Sequence, residues 1–211
     1  MSSSTPARGN LLIVAAPSGG GKSSLVNALL ERDRRLVLSI SHTTRPPRRG
    51  EVNGEWYHFV DDDTFARLVH ERTFLEHAEV FGHRYGTHAG MVNGQLERGR
   101  DVILEIDWQG ARQVRDTVPD SHSVFILPPS LETLRRRLTR RATDSEEVIE
   151  RRMRDARSEM SHWAEFDFLV VNDDFETALG DLAAIVRSLR LGRSRQQKQH
   201  AALLAELLGN G

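Results

Sequence analysis

The chain contains no cysteine in its 211 residues. That excludes disulfides and thiolate metal sites and fits a reducing compartment. Lysine is nearly missing too: of 29 basic residues only Lys22 and Lys198 are lysines. No apolar stretch approaches the roughly 20 residues that span a bilayer. Residues 1–8 lack the apolar core of a secretion signal and read as a loose tail. The formal net charge is only −1, so no global basic field argues for nucleic acid. These absences describe a cytoplasmic protein with neither membrane nor nucleic acid as partner. Its 38% apolar and 28% charged residues suit one sizeable globular domain, with room for small insertions.

Against that background one segment carries most of the information. Ala16, Pro17, Ser18, Gly19, Gly20, Gly21, Lys22, Ser23 and Ser24 follow the apolar run 11–15 and precede a helical pattern. Strand, glycine loop and helix in that order form a phosphate-binding P-loop. Glycines let successive backbone N–H groups turn inward toward phosphate oxygens, and the helix N-terminus adds unpaired donors and partial positive charge. Lys22 can reach the outer phosphates, and the Ser23 hydroxyl can ligate Mg²⁺. In so arginine-rich a chain, a lysine here answers a need for a compact ammonium. The usual pattern, G-x-x-x-x-G-K-[ST], has glycine where this chain has Ala16. The change costs little if that residue keeps φ below zero.

Beyond the loop, apolar strand-like runs fall at 11–15, 36–41, 102–106, 124–127 and 168–171. Helical patterns lie at 23–32, 110–117, 131–140, 146–163 and 175–191. The alternation predicts an α/β fold, a parallel sheet with helices on both faces. Asp144 with Glu147 forms a capping box for the long helix. From His42 to about Met91 the alternation breaks: turn residues and short strand-like pieces, 56–60 and 74–81, predict an inserted α+β subdomain. Residues 193–211 read as an amphipathic helix whose Leu203, Leu204, Leu207 and Leu208 dock on the protein's own core, with a dimer seam as the alternative. In doubly wound sheets ligands sit at the carboxyl ends of the strands. Polar clusters fall there: Ser41 to Arg45, Asp107 to Gly110, and Asn172 to Asp174.

The segments APSGGGKSS, SISHTTRPPRRGEVNGEWYHF, FLEHAEVFGHRYGT, LEIDWQGA, FILPPS, RRLTRR and VNDD resemble one family in register, bacterial guanylate kinase. The resemblance implies a P-loop core at 1–41, 92–131 and 164–211, a GMP-binding subdomain at 42–91 and a lid at 132–163. It also implies ATP and GMP as substrates, ADP and GDP as products, and Mg²⁺ as cofactor. A GMP phosphate must approach another polyanion, so fixed positive charge has to cancel the repulsion.

By the same resemblance Arg45, Arg48, Tyr57 and Tyr85 hold the GMP phosphate. Glu76, with Ser41 and Thr87, reads the guanine edge, where N1–H and the 2-amino group donate. A buried carboxylate facing adenine's N1 acceptor would be left unpaired. Asp107 follows a buried strand, a common place for an acid that holds Mg²⁺ through water. In the family it also lies near GMP, and Glu105, two residues earlier, points to the same side. A helix N-cap is an equally ordinary use of Asp107. Arg137, Arg141 and Arg152 correspond to the lid arginines that reach the transferring phosphoryl group, and Asn172 to a residue near the ATP adenine. The family's glycine after the second lid arginine is Ala142 here, which bears on the hinge. No general base is needed, because the attacking oxygen is already ionised.

Two rival readings use the same residues. One is a non-catalytic guanylate-kinase-like binding module, which keeps the fold but loses phosphate-handling residues. The other is a P-loop kinase for a different small phosphate acceptor, which has no use for Glu76 with Thr87. A GTPase switch lacks its N-K-x-D signature here.

Overall fold

The computed structural model describes residues 7–80, 82–139 and 145–209. Two sheets organise them. The larger is built from β1 (Leu11–Ala15), β2 (Leu36–Leu38), β7 (Asp101–Glu105), β8 (His122–Leu127) and β9 (Phe168–Val171), in the order β2-β7-β1-β8-β9 with every pairing parallel. β1 is central and wholly buried. Its side chains alternate between faces, as a strand's must. Leu12 and Val14 join the core beneath α1 (Lys22–Arg32) and α7 (Phe175–Arg190). Leu11 and Ile13 join the core beneath α3 (Ala89–Glu97) and α4 (Trp108–Thr117). Burial on both faces accounts for the unbroken apolar run in the sequence, and the predicted α/β architecture is what the chain adopts.

The second sheet has β3 (His42–Thr43), β4 (His58–Phe59), β5 (Phe74–Val80) and β6 (His83–His88), in the order β4-β3-β6-β5. β5 and β6 form an antiparallel hairpin that turns at Gly82, where φ is 75°. The Phe74 ring lies so close to Gly86 that a Cβ there would sit 3.0 Å from it. It also packs on Phe65 of α2 (Asp62–His70), ring centroids 4.9 Å apart. The expected strand 36–41 is shorter than its apolar run, because residues from His42 onward leave for this second sheet.

α5 (Leu131–Thr139) and α6 (Glu146–Met160) pack on each other through Leu134, Leu138, Ile149, Met153 and Ala156. Ser145 is the N-cap of α6, its hydroxyl accepting from the Val148 N–H at 3.4 Å. The acid proposed for that cap, Asp144, lies outside the described residues, as do Arg140, Arg141 and Ala142. α6 ends three residues short of the expected 163, and a 3-10 turn, Trp163–Glu165, follows.

The C-terminal segment departs from the single core-docked helix expected of it. Residues 193–209 form two short helices, α8 (Arg193–Gln199) and α9 (Ala201–Leu207), and Leu207 and Leu208 remain 71% and 69% exposed. The leucine stripe does not dock on the core. α8 is tied to the end of α7, where Gln196 Nε2 donates to the Arg190 carbonyl.

That end of the sheet is held by ions. Asp101, 2% exposed, accepts from the Asn10 N–H at 2.7 Å, from Arg190 Nε at 2.5 Å and from Arg195 at 2.5 Å, while Arg190 also pairs with Asp33. A buried guanidinium that loses one of its carboxylates keeps its desolvation penalty. Asp101→Ala is therefore expected to cost about 3 kcal/mol of unfolding free energy. Urea midpoints check this; a loss below about 1 kcal/mol would show that the network contributes little.

Candidate active site

β1 delivers the chain into the loop between Ala15 and Lys22. Gly19 and Gly21 sit at φ 84° and 94°, a region closed to most side chains. Gly21 has a second reason to be glycine: a Cβ would lie 2.3 Å from Asn172 Nδ2. Among the described residues the one non-glycine with positive φ is Arg72. Ala16 therefore stands in ordinary backbone, and its departure from the usual glycine carries no strain. The turn closes with the Gly20 N–H donating to the Pro17 carbonyl at 2.8 Å. From outside, Asn172 Nδ2 donates to the Gly20 carbonyl at 2.9 Å, and Arg137 donates to the Asn172 carbonyl at 2.9 Å. Asn172 is thus buried against the loop, with its amide spent on loop backbone.

The start of α1 has no capping side chain and no acid in its first turn, so its first N–H groups stay open to an anion. They face a cavity of about 570 Å³, whose wall includes Ser18, Lys22, Ser23, Asp107, Arg137 and Glu159. Lys22 Nζ donates to the Ile106 carbonyl at 3.2 Å, and the Ser23 hydroxyl is bonded to Glu105. Asp107 does two things. Its Oδ1 caps α4 by accepting from the Gly110 N–H at 2.9 Å, and its carboxylate also lines the cavity.

Glu159 and Arg152 reach the same loop from α6. The Ser18 N–H donates to Glu159 at 2.9 Å, and Arg152 donates to the Ser18 hydroxyl at 3.3 Å. Burial pushes the Glu159 carboxyl up, against the opposing pull of the Ser18 N–H and the Lys22 charge. Glu159 carries no signal in the sequence, since its partner lies 141 positions away.

A second cluster belongs to the smaller sheet. Glu76 of β5 is 3% exposed and accepts from the Thr87 hydroxyl at 2.5 Å. Its other oxygen lies against Gly110 of α4, where a Cβ would come within 2.6 Å. Burial, with the Asp107 charge adding to it and the Thr87 hydrogen bond opposing, pushes the Glu76 carboxyl up to about 7. Nearby, Arg45 holds Glu51 through both carboxylate oxygens at 2.8 and 2.9 Å, side chains 10% and 12% exposed. The Arg45 guanidinium stands 5.3 Å from the Tyr57 ring centre, and the Tyr57 and Tyr85 rings meet edge to face at 5.8 Å. The Arg48 N–H donates to Glu51 at 2.7 Å, and the Ser41 carbonyl accepts from His58 at 2.9 Å. Glu51 was missed in the sequence, although an acid three residues beyond Arg48 in a basic turn is a signal for it.

The two clusters adjoin along the stretch from Glu105 to Asp107. Asp107 raises both Glu76 and Glu159, and Glu105, after burial and Tyr85, adds to the rise of the Tyr57 hydroxyl. Ser41, Arg45, Tyr57, Glu76, Tyr85 and Thr87 are grouped on the small sheet; Ala16 to Ser24, Arg137, Arg152 and Asn172 are grouped at the loop; Glu105 and Asp107 lie between. Arg141 lies outside the described residues.

A family model described as guanylate kinase matches residues 8–189. The chain is 60% identical over 201 residues to a guanylate kinase of Alkalilimnicola ehrlichii, covering 95% of this chain and 99% of that one. It is 55% identical over 205 residues to one of Pseudomonas fluorescens, covering 97% and 100%. Its fold is similar to the crystal structure of guanylate kinase from Anaplasma phagocytophilum, with a TM-score of 0.75 and 32% identity over 94% of this chain and 97% of the other.

The raised Glu76 has a stability consequence. Its folded value of about 7 exceeds the ordinary 4.5, so the folded protein keeps a proton that the unfolded chain releases between those values. Stability is therefore lost as pH rises through that window, by up to about 3 kcal/mol above it. Glu76→Gln removes the cost. Its melting temperature should pull ahead of the parent's as pH goes from 5 to 8, and parallel curves would refute the assignment.

Proposed function

The chain belongs to the guanylate kinase family, and from that membership we propose that it transfers the γ-phosphoryl group of ATP to GMP, giving ADP and GDP. The observation that carries the reading is the adjacency of two unlike sites. A P-loop with its lysine adjoins a buried carboxylate paired with a hydroxyl, and Asp107 lines the cavity beside Lys22 while its charge also raises Glu76. A binding module needs no such electrostatics, and a kinase for another acceptor needs no buried reader of two adjacent donors.

Each residue then has a task that its surroundings suit. The N–H groups at the start of α1 and the Lys22 ammonium hold the donor phosphates. Asn172 and Arg137 brace the loop that presents those groups. Arg137, with Arg152 and Arg141, supplies charge at the transferring group. Arg45, Arg48, Tyr57 and Tyr85 clamp the acceptor phosphate, with Glu51 orienting the Arg45 fork. Glu76 accepts from guanine N1–H and the 2-amino group, helped by Ser41 and Thr87. The acceptor oxygen arrives ionised, so alignment and charge stabilisation are the chemistry required. Residues 132–163 serve as the lid that excludes water. We infer the cytoplasm as the setting of this work, a reading with which the cysteine-free composition is consistent.

The oxygens beside Lys22 suit Mg²⁺: the Ser23 hydroxyl, bonded to Glu105, and the Asp107 carboxylate on the cavity wall. These are hard donors, few in number, as a magnesium site that keeps its waters requires. Ser23 and, through water, Asp107 would hold the ion, which when bound with ATP neutralises charge on the β- and γ-phosphate oxygens.

ADP release measured with GMP, AMP and CMP as acceptors tests the reading. GMP alone should support fast turnover. No release with any acceptor would leave a binding module, and comparable release with AMP or CMP would leave a kinase of another acceptor. Lys22→Ala should lower kcat at least about a hundredfold, as losing a transition-state charge does; near-parental turnover would remove Lys22 from the mechanism. Arg45→Ala should weaken GMP capture while leaving the KM for ATP within about twofold, because a phosphate clamp on one substrate removes binding to that substrate alone.

A further inference from the structure

Strand β5 is the edge strand of the smaller sheet, paired with β6 on one side only. Edge strands leave N–H and C=O groups that need other partners. At His77, the residue after Glu76, both groups are taken by one side chain. The His77 N–H donates to Gln113 Oε1 at 3.1 Å, and Gln113 Nε2 donates to the His77 carbonyl at 2.9 Å. The carboxamide thus pairs with the strand as a neighbouring strand's peptide would. Gln113 belongs to α4, which is fixed on the large sheet by the buried Ala111 and Val114. One turn before it on the same face is Gly110, the residue on which the Glu76 carboxylate rests.

We propose that Gln113 is a positioning residue for recognition of the acceptor's base: it pins β5 to α4 at the peptide adjoining Glu76 and so sets where the Glu76 carboxylate stands. The pin matters because Glu76 offers one oxygen to Thr87 and has the other against Gly110. A shift of the strand by a fraction of an ångström either pushes that oxygen into the helix or withdraws it from the guanine edge. A carboxylate that reads two adjacent donors is selective only when both oxygens are in register with them. Thr87 controls the carboxylate within the small sheet, whereas Gln113 controls the small sheet relative to the loop that binds the other substrate. The proposal rests on the assignment of Glu76 to the base.

The test compares Gln113→Met, which keeps length and packing but loses both hydrogen bonds, with Gln113→Ala and Glu76→Gln. Steady-state constants are measured for ATP, for GMP and for inosine monophosphate, which lacks the 2-amino group. Gln113→Met should raise the KM for GMP about tenfold, the scale set by two lost hydrogen bonds. The KM for ATP should stay within twofold, and the preference for GMP over inosine monophosphate should fall. Gln113→Ala should follow the same pattern with a larger loss of thermal stability. An unchanged KM for GMP, an equal rise in both KM values, or an unchanged base preference in Gln113→Met would overturn the proposal. If Glu76→Gln lowers GMP use and base preference while Gln113→Met does neither, the proposal alone falls. If Glu76→Gln also changes nothing, the assignment of Glu76 falls with it.

Discussion

A cleft that holds two polyanions end to end has to be positive, and positive charge concentrated in one place repels itself unless carboxylates are threaded through it. That constraint explains the acids around this site better than any separate duty for each. Glu51 accepts from one arm of Arg45 through both its oxygens, Glu159 takes a loop N–H and lies near Lys22, and Glu105 is bonded to Ser23. The pairs differ in strength. Arg45 and Glu51 are nearly enclosed, and with one Arg45 nitrogen on both Glu51 oxygens and the other on the Pro46 carbonyl the guanidinium is a fixed structural unit. Exposed pairs such as Arg32 with Glu176 contribute little. The Arg45 guanidinium is therefore held in orientation by an acid that also collects the Arg48 N–H.

Glu76 obeys the same constraint in reverse. Among the described residues no cation pairs with it, a hydroxyl and a glycine being its company, and burial pushes its carboxyl up to about 7. A carboxylate left this uncomfortable gains from any ligand that brings two donors at the right spacing, and loses from one that brings an acceptor. On the proposed assignment of Glu76 to the acceptor's base, selectivity for guanine over adenine follows from desolvation more than from shape.

The sequence made the loop, the central sheet and the helices that flank it legible, because glycine position and apolar runs are local signals. Strand 11–15 and its following helix could be read directly, since both faces of that strand are buried. Ala16 could be read as harmless only conditionally, on a φ value that pattern does not encode. Helix 62–70 was folded into an unresolved α+β reading, although Asp61 caps it by accepting from the Thr64 N–H, a local signal. The C-terminal leucines show the opposite limit. An amphipathic stripe has the same periodicity whether or not it finds a surface, and here it finds none within the described chain. Glu159 and Gln113 were invisible for a different reason: their partners, Ser18 and His77, lie far away in sequence and are backbone groups, which leave no trace in residue identity.

Helix α4 ties these threads together. Its first turn is capped by Asp107 from the loop-side cavity. Its Gly110 and Gln113 face the small sheet. Trp108 stacks on His162, ring centroids 3.6 Å apart, and Arg112 pairs with Glu165 in the segment that follows α6. The loop-side cavity, the small sheet and the segment after α6 thus take their bearings from a single ten-residue helix. Ala111 and Val114 lock that helix to the same sheet that carries the P-loop. Errors in its placement would move Glu76, the acid at Asp107 and the return of α6 together, so their mutual spacing is preserved by one rigid body and not by three independent fits.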